Sequence, residues 1–323
     1  VTRDLRAAER RGGPSRRAVL AALAAGAAGA LLGGCGLEER RELVLASGEP
    51  GGLYADFAEL LAEAVNRSER RLRVRTRATG GSLDNLGLLR DGGADLALSL
   101  ADAAAGGSSP GGRLRALGRV YENYTQLVTA ADGGVRRLAD LDGRRVSLGD
   151  SGAGAAFTAE RILASAGLRP GEDVEAVHLP LAEAARALAA GEVDAFFWSG
   201  GVPTPALSAL EARTGIRLVP LDGVAAELRA EHGPVYAPID VPAGAYGAVA
   251  PVATVGVPSL LACSAGLADE VAAALVRVLV EEAPSLIPGY TLGTQFLSAS
   301  TLIGTSGVPL HPGAEQAYRE LHG

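Results

Sequence analysis

From residue 42 onward, short apolar runs of strand length alternate with stretches whose apolar residues recur at helical spacing. ELVLAS (42–47) reads as a strand and GEPGG as a loop; 54–66 reads as a helix carrying Phe57, Leu60, Leu61 and Val65 on one face. LRVRT (72–76) alternates as a half-buried strand does, 82–91 reads as a short helix, and 96–98 as a buried strand. The scheme returns as a strand at 145–148, a helix at 155–166, a strand at 174–178 and a helix at 181–190. GGADLALS and GEVDAFFWSG then echo one another: each passes through an aspartate, Asp95 or Asp194, into an apolar strand that reaches a serine, Ser99 or Ser199. This alternation predicts an α/β fold with a mainly parallel sheet, and the echo predicts one unit used once in each of two lobes. YENYTQLVTA (121–130) is expected to cross between the lobes, 235–244 to cross back, and a helix at 268–282 to return to the first lobe. Two crossings make a hinge, and the cleft between hinged lobes is a usual place for a small ligand.

The N-terminal pattern is different. In PSRRAVLAALAAGAAGALLGGCG (14–36), Arg16 and Arg17 follow Ser15 and precede Val19 and Leu20, the order of a twin-arginine export signal. The apolar run 18–32 has 15 residues, short of the ~20 that a spanning helix needs. Its positive flank and small-residue exit are those of a signal peptide. Leu32-Gly33-Gly34-Cys35 resembles a lipobox, in which Cys35 is lipidated and becomes the new N-terminus. The expectation is an address at 1–35 and a mature protein lipid-anchored outside the cytoplasmic membrane.

Composition narrows the chemistry. With 323 residues, 48% hydrophobic and 21% charged, the chain suits a globular protein large enough for two lobes. All 30 basic residues are arginine, which excludes a P-loop and a Schiff-base lysine. The first 34 residues carry six Arg against Asp4 and Glu9, so the body is more acidic than the formal net charge of −7. Nucleic acid is therefore not an expected partner. The 4 histidines form no HxxH or HExxH and there is no CxxC, so no metal site is indicated, and no cofactor is expected. Beyond Cys35 the remaining cysteine, Cys263, reads as a buried small hydrophobe with no disulfide partner. GDSGAG (149–154) approaches a nucleophile elbow but has Ala153 where G-x-S-x-G ends on glycine. An exported serine hydrolase acting through Ser151 is thus the lesser alternative, and it needs a histidine and an acid brought to that serine.

Three glycine-rich loops precede helices: GEPGGLY, TGGSLDN and DSGAGAAFT. Ser82 is a good N-cap. Each helix start offers free N–H groups and about 0.3–2 kcal/mol toward an anion. Any one loop could be a plain tight connection; three in an exported chain point to an organic acid held where they meet.

In order along the chain, SGEPGGLY (47–54), TGGSLDNLGLL (79–89), GGADLALSLAD (92–102), LADLDGRRVSLG (138–149), GEVDAFFWSGGVPTPAL (191–207), RLVPLDG (217–223) and VPLHPGAEQAYRE (308–320) resemble the TAXI-type solute-binding subunits of TRAP transporters. The resemblance implies a two-lobe periplasmic-binding-protein fold (type II-like) with a hinged interlobe cleft. Lobe 1 is placed at 36–124 and 239–323, and lobe 2 at 125–238. The implied ligand is a small organic acid or amino acid, such as glutamate, glutamine or a dicarboxylate, and the implied partner is a TRAP membrane permease. A lipoprotein that reports its ligand to a sensor kinase is the alternative. Carried over residue by residue, the ligand site comprises Gly52, Leu53, Tyr54, Gly81, Ser82 and Asn85, then Ser151, Gly154, Ala155 and Ala156, with Ser99, Tyr121 and Trp198 as further candidates. Where the family has GSGTE this chain has GAGAA (152–156), which keeps the amides but loses two hydroxyls worth about 0.5–1.5 kcal/mol each. Tyr54 either bonds the ligand or packs in the core, and Trp198 either covers the cleft or packs. Asp95 and Asp194 read as turn residues, His311 as a structural corner, and the sequons at Asn66 and Asn123 as accidental.

Overall fold

The protein was analysed as a computed structural model that describes residues 40–106, 113–293 and 295–322. The expected export signal and Cys35 lie outside the described residues. The chain begins with β1 (Arg41–Ala46), α1 (Leu53–Ser68), β2 (Leu72–Arg77), α2 (Ser82–Arg90) and β3 (Leu96–Leu100), followed by the short α3 (Ala101–Gly106) and the long β4 (Leu114–Ala130). The unit then repeats as β5 (Arg145–Ser147), α4 (Gly154–Ser165), β6 (Glu175–Val177), α5 (Leu181–Ala190) and β7 (Ala195–Gly200). After it come α6 (Pro205–Thr214), β8 (Ile216–Val219), α7 (Val224–His232), β9 (Ala237–Val241), β10 (Val252–Ser264), α8 (Asp269–Glu281), α9 (Ala299–Leu302) and α10 (Pro312–His322).

In both units the three strands run parallel with the first in the middle: β2-β1-β3 and β6-β5-β7. The echoed aspartates explain themselves here. Asp95 Oδ2 accepts the Val44 N–H at 2.8 Å, and Asp194 Oδ2 accepts the Arg145 N–H at 3.0 Å, so each ties the entry of its third strand to the first strand of the same unit.

The expectation of a mainly parallel sheet needs correction. The full order is β2-β1-β3-β10-β4-β7-β5-β6, and β4 and β10 enter antiparallel to everything they touch. Crossover helices join the parallel strands within each unit, whereas β4 and β10 lie between the units and pair antiparallel with both. Residues 235–244 hold β9, which pairs with β10 alone, whereas β10 is the strand that runs back alongside β4 and reaches β3.

The apolar stripe read in α1 is buried at Phe57, Leu61 and Val65, with Leu60 at its margin, and packs against Leu275 and Leu279 of α8. The helix expected at 268–282 thus does return to the first unit. Fully burying a side chain of this size stabilises by about 1.5–3 kcal/mol. A second cluster covers the repeated unit around Ile162, Leu163 and Phe197. Cys263 is buried within the first cluster, and burial pushes its thiol up to about 12. His311 is a buried corner whose Nδ1 accepts the Gly313 N–H at 3.2 Å.

Candidate functional site

Each repeat sends the loop after its first strand, and the N-terminus of the following helix, to the same end of the sheet. The two ends face one another, and a cavity of about 40 Å³ lies between them. From the first unit its wall takes Gly48, Glu49, Gly52, Leu53 and Tyr54 at the start of α1, and Gly80, Gly81 and Ser82 at the start of α2. From the second it takes Ala153, Gly154 and Ala155 at the start of α4, with Trp198, Ser199 and Gly200 from β7. Leu100 and Asn123 complete it from β3 and β4. All three glycine-rich junctions therefore meet at one place. A larger hollow of about 260 Å³ lies at the start of α7 beside β9, but no part of either repeat contributes to it.

The amides at these junctions are not equivalent. At α1, the Leu53 and Tyr54 N–H groups have no backbone partner, because the first bonds of the turn come from Ala55 and Asp56 to Gly52. At α4, Ala153 N–H is spent on Asp150, and the N–H groups of Gly154 and Ala155 remain free among the described residues. The start of α2 is occupied instead: Leu83 and Asp84 donate to the Gly152 carbonyl of the other unit at 2.9 and 3.2 Å. The converse contact exists too. Glu49, in the loop before α1, accepts the Leu181 N–H at the start of α5 at 2.6 Å. Each unit's first loop thus caps the second helix of the other, and the facing ends are latched together.

This latch explains the glycines. Gly81 has φ +132°, which only glycine adopts readily, and its α-carbon faces Ala153. A Cβ at Gly154 would come within 2.5 Å of Ser82 Oγ and 2.8 Å of Leu100 Cδ1. Ser82 Oγ, expected as the cap of its own helix, accepts the Leu100 N–H at 2.9 Å, and no side-chain cap bond forms at α2.

Of the other sequence candidates, Tyr54 both packs and faces the cavity. Its ring stands edge-on to Tyr121 at 5.9 Å, and its hydroxyl accepts from Ser259 at 3.2 Å. Trp198 lines the seam against Gly52 and donates from Nε1 to Thr204 Oγ1 at 3.0 Å. Asn85 stands behind the wall: Thr79 donates to its Oδ1 at 2.6 Å while Nδ2 donates to the carbonyls of Ser47 and Leu98. Ser99 is fully buried and donates to the Leu100 carbonyl at 3.1 Å. Tyr121 and Ala156 are buried without lining the cavity, and Ser151 is exposed beside it. No histidine is hydrogen-bonded to Ser151 among the described residues; His178 Nδ1 contacts the Gly149 carbonyl at 3.2 Å instead. The geometry for a serine nucleophile is not assembled.

Glu49, Asn123 and Ser199 belong to the wall and escaped the reading of the sequence. Glu49 stood in a loop read for its glycines. Ser199 is the repeat-mate of Ser99, so the echo held the signal. Asn123 had one as well: Glu122, Asn123, Thr125 and Gln126 are all buried in β4, and polar residues on both faces of a covered strand need partners. Burial pushes Glu49 up to about 7, with Asp150 and Glu183 adding to the rise and the Leu181 N–H opposing it. Among the described residues no arginine or histidine lines the cavity, and Arg77 turns away to the Gly93 carbonyl at 3.5 Å. Among the described residues no group of three or more His, Cys, Asp or Glu could hold a metal ion, and no helix is long and apolar enough to cross a membrane.

Solved structures share this fold. A binding protein component of an ABC phosphonate transporter from Pseudomonas aeruginosa is 11% identical, covers 75% of this chain and 75% of its own, and superposes with a TM-score of 0.52. A protein from Bordetella bronchiseptica RB50 is 19% identical over 87% of this chain and 89% of that one, with a TM-score of 0.50. The alkanesulfonate-binding protein SsuA from Xanthomonas axonopodis pv. citri is 20% identical over 88% of this chain and 85% of that one, with a TM-score of 0.49. The fold is the two-lobe α/β fold of periplasmic binding proteins. Residues 45–321 match the NMT1-like family, and the chain belongs to that family.

Proposed function

We propose that this protein is an extracytoplasmic solute-binding protein that captures a small carboxylate between its lobes and delivers it to a TRAP-type membrane permease, as TAXI-type subunits do. In this reading the segment 1–35 exports the chain and Cys35 carries the lipid anchor. Lobe 1 is 36–124 with 239–323 and lobe 2 is 125–238, joined through the long strands β4 and β10. The ligand classes are those of the resemblance: glutamate, glutamine or a dicarboxylate. Gly52, Leu53, Tyr54, Gly81, Ser82, Gly154, Ala155 and Trp198 face it, while Asn85, Ser99, Tyr121, Ser151 and Ala156 support the loops that do.

One observation carries the reading. The starts of α1 and α4, from opposite lobes and with N–H groups that are free among the described residues, line a single cavity. Paired helix starts replace the water around an anion without a cationic side chain, which fits a wall that contains no arginine. Kinship of fold with a transporter's binding component supports the same direction.

Isothermal titration and thermal melting against a panel of amino acids, monocarboxylates and dicarboxylates test it. A true ligand at a hundredfold excess over Kd adds about 2.7 kcal/mol to stability, and its melting shift is expected to vanish in a Gly154→Val variant. If no acid in the panel gives heat or a shift, the reading fails.

A further inference from the structure

Two side-chain atoms in the cavity wall are buried and have no partner: Asn123 Oδ1 and Ser199 Oγ. Asn123 is 1% exposed. Its amide nitrogen donates to Ser259 Oγ, and Ser259 in turn donates to the Tyr54 hydroxyl. Ser259 thus donates to Tyr54 and accepts from the Asn123 amide nitrogen. The amide is thereby oriented with nitrogen toward β10 and the carbonyl oxygen left over. A buried carbonyl oxygen without a donor costs about 1–3 kcal/mol, and a wall built around one fits a ligand that brings a donor.

The charges agree. Among the described residues the helix starts are what the wall offers an anion, and no cationic side chain joins them. A space of about 40 Å³, where one water needs about 10–15 Å³, holds only a few heavy atoms while the lobes are latched.

Resting on the carboxylate reading above, we infer that Asn123 is the specificity-determining residue of the cleft, and that the ligand is a small carboxylate bearing a hydrogen-bond donor, an ammonium or a hydroxyl, close to its carboxyl group. The carboxylate takes the amides of α1 and α4, and the donor takes Asn123 Oδ1, with Ser199 Oγ beside it.

The test is calorimetry on the full chain with matched acids: glycine and alanine, glycolate and lactate, acetate and propionate, and succinate. At least one donor-bearing acid is expected to bind about tenfold or more tightly than its donor-free match, the ratio that an unpaired buried carbonyl implies. Asn123→Ala is expected to erase that ratio. Asn123→Leu keeps the volume without an acceptor and is expected to erase the ratio as Asn123→Ala does, which separates reading of the donor from packing. Equal binding of matched acids, tighter binding of succinate, or a ratio that survives in Asn123→Ala overturns the role of Asn123 while the carboxylate site stands. Binding by none of the seven acids, nor by glutamate or glutamine, overturns both.

Discussion

Asn85 shows how a polar residue in a loop motif can serve the loop rather than the ligand. Its side chain joins Thr79, the end of β1 at Ser47 and the end of β3 at Leu98, and none of its surface is exposed. Removing it takes a hydrogen bond from each of two carbonyls and from the Thr79 hydroxyl. Asn85→Ala is therefore expected to lose roughly 2–4 kcal/mol in urea unfolding, while calorimetry on the folded fraction finds ligand affinity unchanged. The motif that contains Asn85 was legible in the sequence, but the direction of its side chain was not. An Asn three residues into a helix can point along the axis or back under the loop, and only the neighbouring strand ends decide between these. Tyr121 is a similar case, since its ring fills the space between Phe57 and Tyr54.

At the scale of elements, the alternation of strands and helices located nearly every unit, because burial on one face fixes a period and the period is visible in the chain. What it could not give was the strand partners at the centre. β4 and β10 are covered on both faces, so their residues show no alternation that would reveal a neighbour. The same limit applies to the helix starts. Three glycine-rich junctions look alike in sequence, yet α2 spends its amides on the other lobe's Gly152 while α1 and α4 keep theirs. The separation between lobes at this seam is set by the absence of a side chain at Gly154. Gly154→Ala is expected to hold the lobes apart by its contact with Ser82 and Leu100. The expected result is weaker ligand binding with little change in hydrogen exchange of the core strands, because no core side chain moves.

For the whole molecule, closure is the property that matters. A ligand shifts the lobes only as far as it prefers the closed form, and that form already carries the two reciprocal caps. One of the caps titrates. Burial raises Glu49 from 4.5 to about 7 in the closed arrangement. The closed form therefore holds a proton that the open form releases. Its contribution to closure is complete below pH 4.5 and is lost as pH rises through about 7. Glu122, raised to about 7 by burial, adds to the stability of the fold in the same window. The chain's single tryptophan, Trp198, lies on the seam against Gly52 and reports on it directly. Its emission is expected to move to the red between pH 5 and 8 in the native chain and to move less in Glu49→Gln. An identical pH response in the two proteins would remove Glu49 from the latch.

The sequence by itself determined the repeated α/β unit and the three glycine junctions, because hydrophobic period, glycine and chain order are local properties. Only the tertiary structure decided which amides stay free, that Glu49, Asn123 and Ser199 join the wall, and that Asn85 and Ser99 stand behind it. Those outcomes depend on which loop from the other repeat arrives opposite, and a contact between residues a hundred positions apart leaves no periodic trace in the chain.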